Sequence, residues 1–401
     1  MIANTNRQGI VDAIRGFSLL GILLANMLIF QYGMWGKDEL ELFKASSFDH
    51  GMHTFVKIVI EGSFMPIFTF LFGYGLFKMM EGLETKGLKP KRVLVRRFLM
   101  LLGLGLLHST FVWDGDILFF YGMIGFFLLL FLKRKAKTVL IWGIVLISLF
   151  GLLGLAGTDP EESAVGGDPA KLEQFIKDSI PVYSEGTYAE IMKHRSGPSP
   201  MDDMGPIVTT FMLLLAPIMM APMFLFGIYA AKKNWFLNPE EKRKRYLKGA
   251  ILWLILGYAL KSLKFIWPDF ILSGVGELIG GSILALGYLL GAAWVLSHVK
   301  ASRTASRFAA VGKLSLTNYL MQSVICTAIF YGYGLGLFGK IGIAGGIGIA
   351  LLVYTVQLIC SVLYLKRFKI GPIEWLLRSW TYWSWRGKPK TNALQPVEIN
   401  A

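Results

Sequence analysis

Ten apolar runs punctuate the chain, near residues 16–33, 55–77, 98–113, 117–132, 138–157, 206–230, 249–266, 271–297, 314–338 and 341–365. A helix needs about 20 apolar residues to cross a hydrocarbon core roughly 30 Å thick. The pattern therefore predicts an all-α integral membrane protein of about ten transmembrane helices, packed as one domain over residues 1–370. Between the fifth and sixth runs lies the one sizeable polar stretch, 158–204. It is rich in Gly, Pro, Asp and Glu, is weakly amphipathic at 169–180, and reads as a connector or as a lid over an outward cavity. Residues 371–390, GPIEWLLRSWTYWSWRGKPK, interleave Trp375, Trp380, Trp383 and Trp385 with bases, which predicts a helix lying in the membrane interface. Residues 391–401 read as a flexible tail.

The charges between the runs orient the bundle. Residues 86–97 carry Lys86, Lys89, Lys91, Arg92, Arg96 and Arg97; 133–137 carry Lys133, Arg134, Lys135 and Lys137; 232–245 carry Lys232, Lys233, Lys242, Arg243, Lys244 and Arg245. The alternate connections are acidic: 31–53 holds two bases against four acids, and 158–204 four bases against ten acids. Short basic loops stay in the cytoplasm. Both termini are therefore expected on the cytoplasmic side. Asp12 and Arg15 interrupt the stretch where a signal peptide would be apolar, so the first run reads as a permanent helix.

Composition narrows the function. Apolar residues are 54% and charged residues 17% of 401 positions, a balance that soluble domains rarely show. The net charge of +15 falls between hydrophobic runs, so topology explains it better than nucleic-acid binding does. Cys326 and Cys360 lie in apolar runs and read as packing residues, and the five histidines show no metal-ligand spacing. The run GYGLGLFG at 332–339 falls inside the ninth apolar run and is not a phosphate loop.

A polar group inside a bilayer needs a partner, a cavity or a function. The first run follows Arg15 with ten residues and then Asn26; the third follows Arg97 with ten residues and then His108. Eleven residues of helix rise about 16 Å, which carries both side chains near mid-membrane. The acids of His108-Ser-Thr-Phe-Val-Trp-Asp114-Gly-Asp116 come next. About 16 apolar residues on each side of this turn make a short hairpin, whose tip should lie recessed in a cavity. If the turn folds back, Asp116 can fix the tautomer of His108 as general-base chemistry requires. Glu61 beside Pro66, and Thr317, Asn318 and Gln322, are lesser candidates that suit helix packing or a kink but hint at a hydrated interior. His50 and His53 read as loop residues.

The segments DAIRGFSLLGILLAN, PIFTFLFGYGL, LLHSTFVWDGDILFFYG, VGKLSLTNYLMQSVICTAIFY and GPIEWLLR resemble the YeiB-like family of bacterial membrane proteins, a domain of unknown function, from residue 12 to about 380. The Arg15-x10-Asn26 spacing after Asp12 is also similar, more distantly, to the first helix of heparan-α-glucosaminide N-acetyltransferase. It is similar again to the Arg-x10-His helix of acyltransferase-three proteins, with Asn26 in the histidine's place. That resemblance implies a transmembrane-acyltransferase-like bundle that takes an acyl group from cytoplasmic acyl-CoA and delivers it to an extracytoplasmic glycan or lipid acceptor. Acyl-CoA would be a donor substrate and not a tightly bound cofactor. The resemblance implies Arg15 near the donor's path and Asn26 near the transferred group. The catalytic histidine of the lysosomal enzyme has no clear equivalent.

The reading that joins these features is acyl transfer. Basic residues around Arg97, with Asp12 and Arg15, receive the donor; His108 deprotonates the acceptor, Asp116 orients His108, and Asn26 steadies the oxyanion. Asp114, Glu61, Asn318 and Gln322 are placed in the surrounding cavity. A transporter or flippase with a buried acid–histidine relay, and a non-enzymatic lipid-binding protein, are the alternatives; no convincing internal repeat supports the former. A homodimer is compatible with the sequence.

Overall fold

The computed structural model describes residues 2–155, 169–200, 205–298 and 302–387. The tail at 391–401 and the ends of the polar stretch, 158–168 and 201–204, lie outside the described residues. Those that are described form helices and turns only. The helices are α1 (Ile2–Gly36), α2 (Ser47–Val59), α3 (Phe64–Glu84), α4 (Pro90–Phe111), α5 (Leu118–Leu132), α6 (Ala136–Leu155), α7 (Pro169–Glu185), α8 (Tyr188–Arg195), α9 (Gly205–Lys232), α10 (Arg243–Ile266), α11 (Leu272–His298), α12 (Arg303–Lys313), α13 (Ser315–Phe330), α14 (Gly342–Arg367) and α15 (Pro372–Tyr382).

Eight helical segments among the described residues are long and apolar enough to cross a membrane, which makes this a multi-pass membrane protein. Their outward faces suit lipid: Ile255 on α10 and Leu352 on α14 are 64% and 65% exposed, and α6 exposes Ile141, Trp142, Val145, Leu149 and Leu152. The other two predicted spans fall on shorter helices. α5 has 15 residues and α13 has 16.

Several expectations need correction. The second run is two helices, not one; the chain breaks at residues 60–63, where Gly62 adopts φ +69°. His50 and His53 are on α2 rather than in a loop. The ninth run ends at Phe330. The glycines beyond it build a folded turn outside the helix: Gly332 N–H donates to Tyr183 O (2.8 Å) and Gly339 N–H to Gln31 O (2.8 Å). The polar stretch is no slack connector in its described part. α7 and α8 pack together over the α4–α5 turn, where Tyr188 Oη donates to Phe111 O (2.8 Å) and Arg195 to Val112 O (3.4 Å) and Ser109 O. Residues 372–382 form a helix, α15, with Trp380 and the following Trp383 and Trp385 exposed.

α12 was not anticipated. It seats against α1 at a glycine crossing, where a Cβ on Gly16 would stand 2.0 Å from Phe308 O and one on Gly312 1.9 Å from Asp12 O. That contact fixes Asp12, Arg15 and Lys313 at the mouth of the site.

Candidate functional site

α4 presents Arg97, Leu101, Gly105 and His108 in succession at three- and four-residue steps, so they lie along one stripe. The stripe faces α5, and Gly105 is what permits the close approach. A Cβ there would fall 2.2 Å from Phe119 N and 2.8 Å from Asp116 Oδ2. The chain then turns sharply, with the N–H groups of both Val112 and Trp113 donating to His108 O (2.9 Å each). This brings Asp116 back beside the imidazole.

Asp116 and His108 are each only 5% exposed. His108 Nδ1 is 2.8 Å from Asp116 Oδ1. Phe119 N–H, in the first turn of α5, donates to Asp116 Oδ2 (3.0 Å). Tyr319 of α13 completes the set: its hydroxyl accepts from Ile117 N–H (3.2 Å) and reaches Asp116 Oδ1 at 3.5 Å. A carboxylate is acceptor-only, so it accepts a hydrogen bond from Nδ1–H and leaves the lone pair on Nε2. His108 Nε2 is buried and makes no hydrogen bond among the described residues. An oriented imidazole with its second nitrogen unpaired is the geometry of a general base. Trp113 Nε1 and Tyr121 Oη, nearby in sequence, are buried without hydrogen-bond partners as well.

A cavity of about 860 Å³ leads toward this pair, within the size range of small-molecule sites. Its inner end is formed by Phe68, Leu71, Phe72, Leu101, Leu118 and Tyr121, with Ile117 and Tyr319 between it and Asp116. Its outer part is basic: Arg15, Lys78, Lys86, Arg97, Lys313, Lys369 and Arg378 face two acids, Asp12 and Glu374. Both acids are committed. Asp12 accepts from Arg15 (3.0 Å), and Glu374 from the N–H groups of Leu316 (2.7 Å) and Thr317 (3.0 Å). The cavity thus carries excess positive charge at one end and apolar walls at the other, which suits an amphiphilic anion.

Half of the ten site residues singled out in the sequence converge here. Asp12, Arg15 and Arg97 line the cavity; His108 and Asp116 form the buried pair behind its wall. Asn26 is half-buried and has no hydrogen bond among the described residues. It sits on the α1 stripe that runs from Asp12 and Arg15 to Phe30, whose ring stacks on Trp113 (4.3 Å). The four residues expected to surround the cavity, Asp114, Glu61, Asn318 and Gln322, do not line it. Asp114 is exposed on the other side of the turn. There burial and, second, its carboxylate push the Tyr183 hydroxyl above its ordinary range. Glu61 sits in the α2–α3 break, paired with Lys37 and Lys57 (2.6 Å). Asn318 and Gln322 hydrogen-bond Ser361 (3.1 Å) and Gln357 (2.8 Å) and join α13 to α14. Tyr319 was missed, although it stands inside the LTNYLMQ block; Lys313 and Arg378 were missed because they lie far from Arg97 in sequence.

No group of three or more His, Cys, Asp or Glu side chains able to hold a metal exists among the described residues. Cys326 is buried, Cys360 is exposed, and both are free.

The profile of a family described as "Protein of unknown function (DUF418)" matches residues 230–384. The uncharacterized protein YxaH of Bacillus subtilis (strain 168) is 36% identical over 392 residues, covering 95% of each chain. An uncharacterized 39.9 kDa protein from the amylase 3' region of Bacillus acidopullulyticus is 27% identical over 385 residues, again covering 95% of each. The uncharacterized protein YeiB of Escherichia coli (strain K12) is 25% identical over 397 residues, covering 94% of this chain and 96% of its own. No solved structure matches.

Proposed function

The chain belongs to the YeiB-like family of uncharacterised proteins that includes YxaH, and we propose that it is a membrane-embedded acyltransferase. It takes an acyl group from a coenzyme A thioester on its basic face and passes it to a hydroxyl or amine of a glycan or lipid on the opposite face. The observation that carries this reading is the buried His108–Asp116 pair behind the closed end of a basic cavity. The basic face is the cytoplasmic one, ten helices cross the bacterial cytoplasmic membrane with α5 and α13 among them, and both termini are cytoplasmic.

The donor's phosphates engage Arg97, Arg15 and Arg378, as charge-assisted contacts favour, and the thioester extends along the apolar inner wall. His108 Nε2 removes the acceptor's proton while the acceptor's oxygen or nitrogen attacks the thioester carbonyl. The C–S bond then breaks, and the proton on the imidazolium returns to the leaving thiolate. Asp116 stabilises the imidazolium through Nδ1–H. The oxyanion needs a donor; the Asn26 amide, on the same stripe of α1 as Arg15, is the candidate.

The test is donor binding by the purified protein. Coenzyme A thioesters should raise its melting temperature, because a ligand bound by the folded state alone stabilises it by mass action. Arg97→Glu should remove the shift. If no chain length from acetyl to palmitoyl moves the transition, the acyltransferase reading fails. One observation favours a second reading, transport. The helix broken at 60–63 gathers Lys37, Lys57 and Lys261 around Glu61, and interrupted helices mark ion sites in transporters. Ion-coupled uptake of a small solute into proteoliposomes, without any thioester effect, would select it.

A further inference from the structure

A second pocket, of about 180 Å³, lies apart from the cavity above, where the α9–α10 connection meets the basic end of the α10–α11 pair. Its rim is cationic. Lys242 is already spent: Nζ donates to the carbonyls of Asn234 (2.6 Å), Trp235 (3.3 Å) and Leu237 (2.8 Å), and Tyr246 Oη donates to Trp235 O (2.6 Å). These bonds make the connection rigid. Lys233 and Arg245 remain, both exposed and neither in an ion pair among the described residues; the Arg245 guanidinium lies over the Trp235 ring at 5.7 Å. No acid lines the pocket.

Its floor is apolar and points along the membrane span. Tyr246, Gly249 and Trp253 follow one face of α10 toward Leu290 of α11, and the neighbouring Ile251, Leu252 and Ile255 are exposed to lipid. Glycine keeps this groove open, since a Cβ at Gly249 would stand 2.7 Å from Leu290 Cδ1. Two uncommitted cations at a wet rim, aromatic rings at headgroup level and an apolar groove beneath are complementary to one kind of molecule. We infer that this pocket binds the phosphodiester headgroup of an anionic phospholipid, with one acyl chain lying along Gly249, Trp253 and Leu290. A diffuse basic surface would attract such lipids too, but it would not distinguish Lys233 and Arg245 from Lys244 and Lys248, which are exposed beside them and do not line the pocket.

Native mass spectrometry of the full chain, delipidated in detergent and titrated with dioleoyl-phosphatidylglycerol or dioleoyl-phosphatidylcholine, reads the site. Phosphatidylglycerol should bind at least about tenfold more tightly. The double variant Lys233→Gln/Arg245→Gln should lose about tenfold or more, as removal of two headgroup contacts predicts, whereas Lys244→Gln/Lys248→Gln should keep its affinity. Gly249→Ala, which leaves every charge in place, should weaken the lipid by crowding its chain, and it serves if the charge variant folds poorly. Equal binding of the two lipids, equal loss in both charge variants, or unchanged binding in Lys233→Gln/Arg245→Gln would overturn the inference. Glycerol 3-phosphate competing as tightly as the lipid would overturn it as well, because the site would then belong to a soluble anion.

Discussion

His108 and Asp116 are eight residues apart in sequence, and their pairing depends on three neighbours that do no chemistry. Gly105 supplies the space, the doubly bonded His108 carbonyl makes the turn, and Tyr319 holds the carboxylate from across the bundle. Only the pair itself was legible beforehand, from the two charges and the shortness of the apolar runs. The closing of the turn was not, because it rests on backbone bonds that no residue type announces. Asp114 shows the same limit: two acids flank one glycine, and the fold buries one and exposes the other. The residue-scale test separates a base from a packing group. His108→Asn keeps a donor for Asp116 and deletes Nε2, so acyl transfer should fall about 10²–10⁴-fold with little change in melting temperature. Asp116→Asn should cost nearly as much, and the double variant less than the sum of the two. Tyr319→Phe removes one contact to Asp116 and leaves the imidazole in place. It should change the ¹⁵N signals of His108 and lower turnover by about fivefold, as loss of one hydrogen bond of about 1 kcal/mol implies. Unaltered His108 signals in that variant would reduce Tyr319 to a packing residue.

Among the elements, periodicity foretold those that face lipid and failed for those that face other protein. α6 and α14 are apolar over nearly their whole length, and α10 is apolar from Gly249 to Leu260 between basic ends, so their apolar runs mark them. α12 carries three bases (Arg303, Arg307 and Lys313) in eleven residues, so although one face buries Ala310, Val311 and Gly312 it is too short and too polar overall to stand out as an apolar run. The 332–339 glycines were taken into a span because apolar content alone does not reveal positive φ at Gly336 and Gly339. Two consequences belong to this scale. Gly105→Ala must push α4 and α5 apart, since backbone stands in the way of the new methyl. Overpacking of this kind costs about 1–3 kcal/mol, so the variant should melt measurably lower in detergent and lose activity with its fold. The α7–α8 pair should respond to pH. His194 stacks on Phe175 (5.1 Å) and donates from Nε2 to Ser179 Oγ (2.8 Å), which gives its own proton to Phe175 O (2.7 Å). Burial lowers the His194 pKa, against the opposing pull of Asp178. A histidine lowered below its ordinary 6.5 is held neutral by the fold. The contribution of His194 to the stability of the α7–α8 pair is therefore complete above that value and declines as pH falls below it, until the folded group protonates. Protection factors over 169–195, which correct for the base-catalysed intrinsic exchange rate, should fall between pH 7.5 and 5.5, and His194→Phe should flatten that dependence; identical protection at both values would exclude the mechanism.

For the molecule as a whole, the separation of charge sets what can enter from where. The basic cavity mouth, the Trp-rich α15 and the lipid pocket all occupy the end of the bundle that holds the short basic loops. The α7–α8 pair and the acidic connections occupy the other. If a donor enters at one end and an acceptor at the other, that asymmetry must match the two sides of the membrane. Cysteine labelling in whole cells measures this directly. Cys360 is replaced by Ser and the buried Cys326 by Ala, and single cysteines are then introduced at exposed positions. With the proposed orientation, Lys244→Cys and Lys86→Cys should react with a membrane-impermeant maleimide only after the cells are permeabilised, whereas Lys193→Cys should react in intact cells. The short basic loops carry the argument, because each base near a span end biases orientation while acids contribute little. Labelling of Lys244→Cys in intact cells would place the cation-rich mouth outside, away from any cytoplasmic thioester. The acyl-transfer proposal would then fail, whatever the His108 variants did.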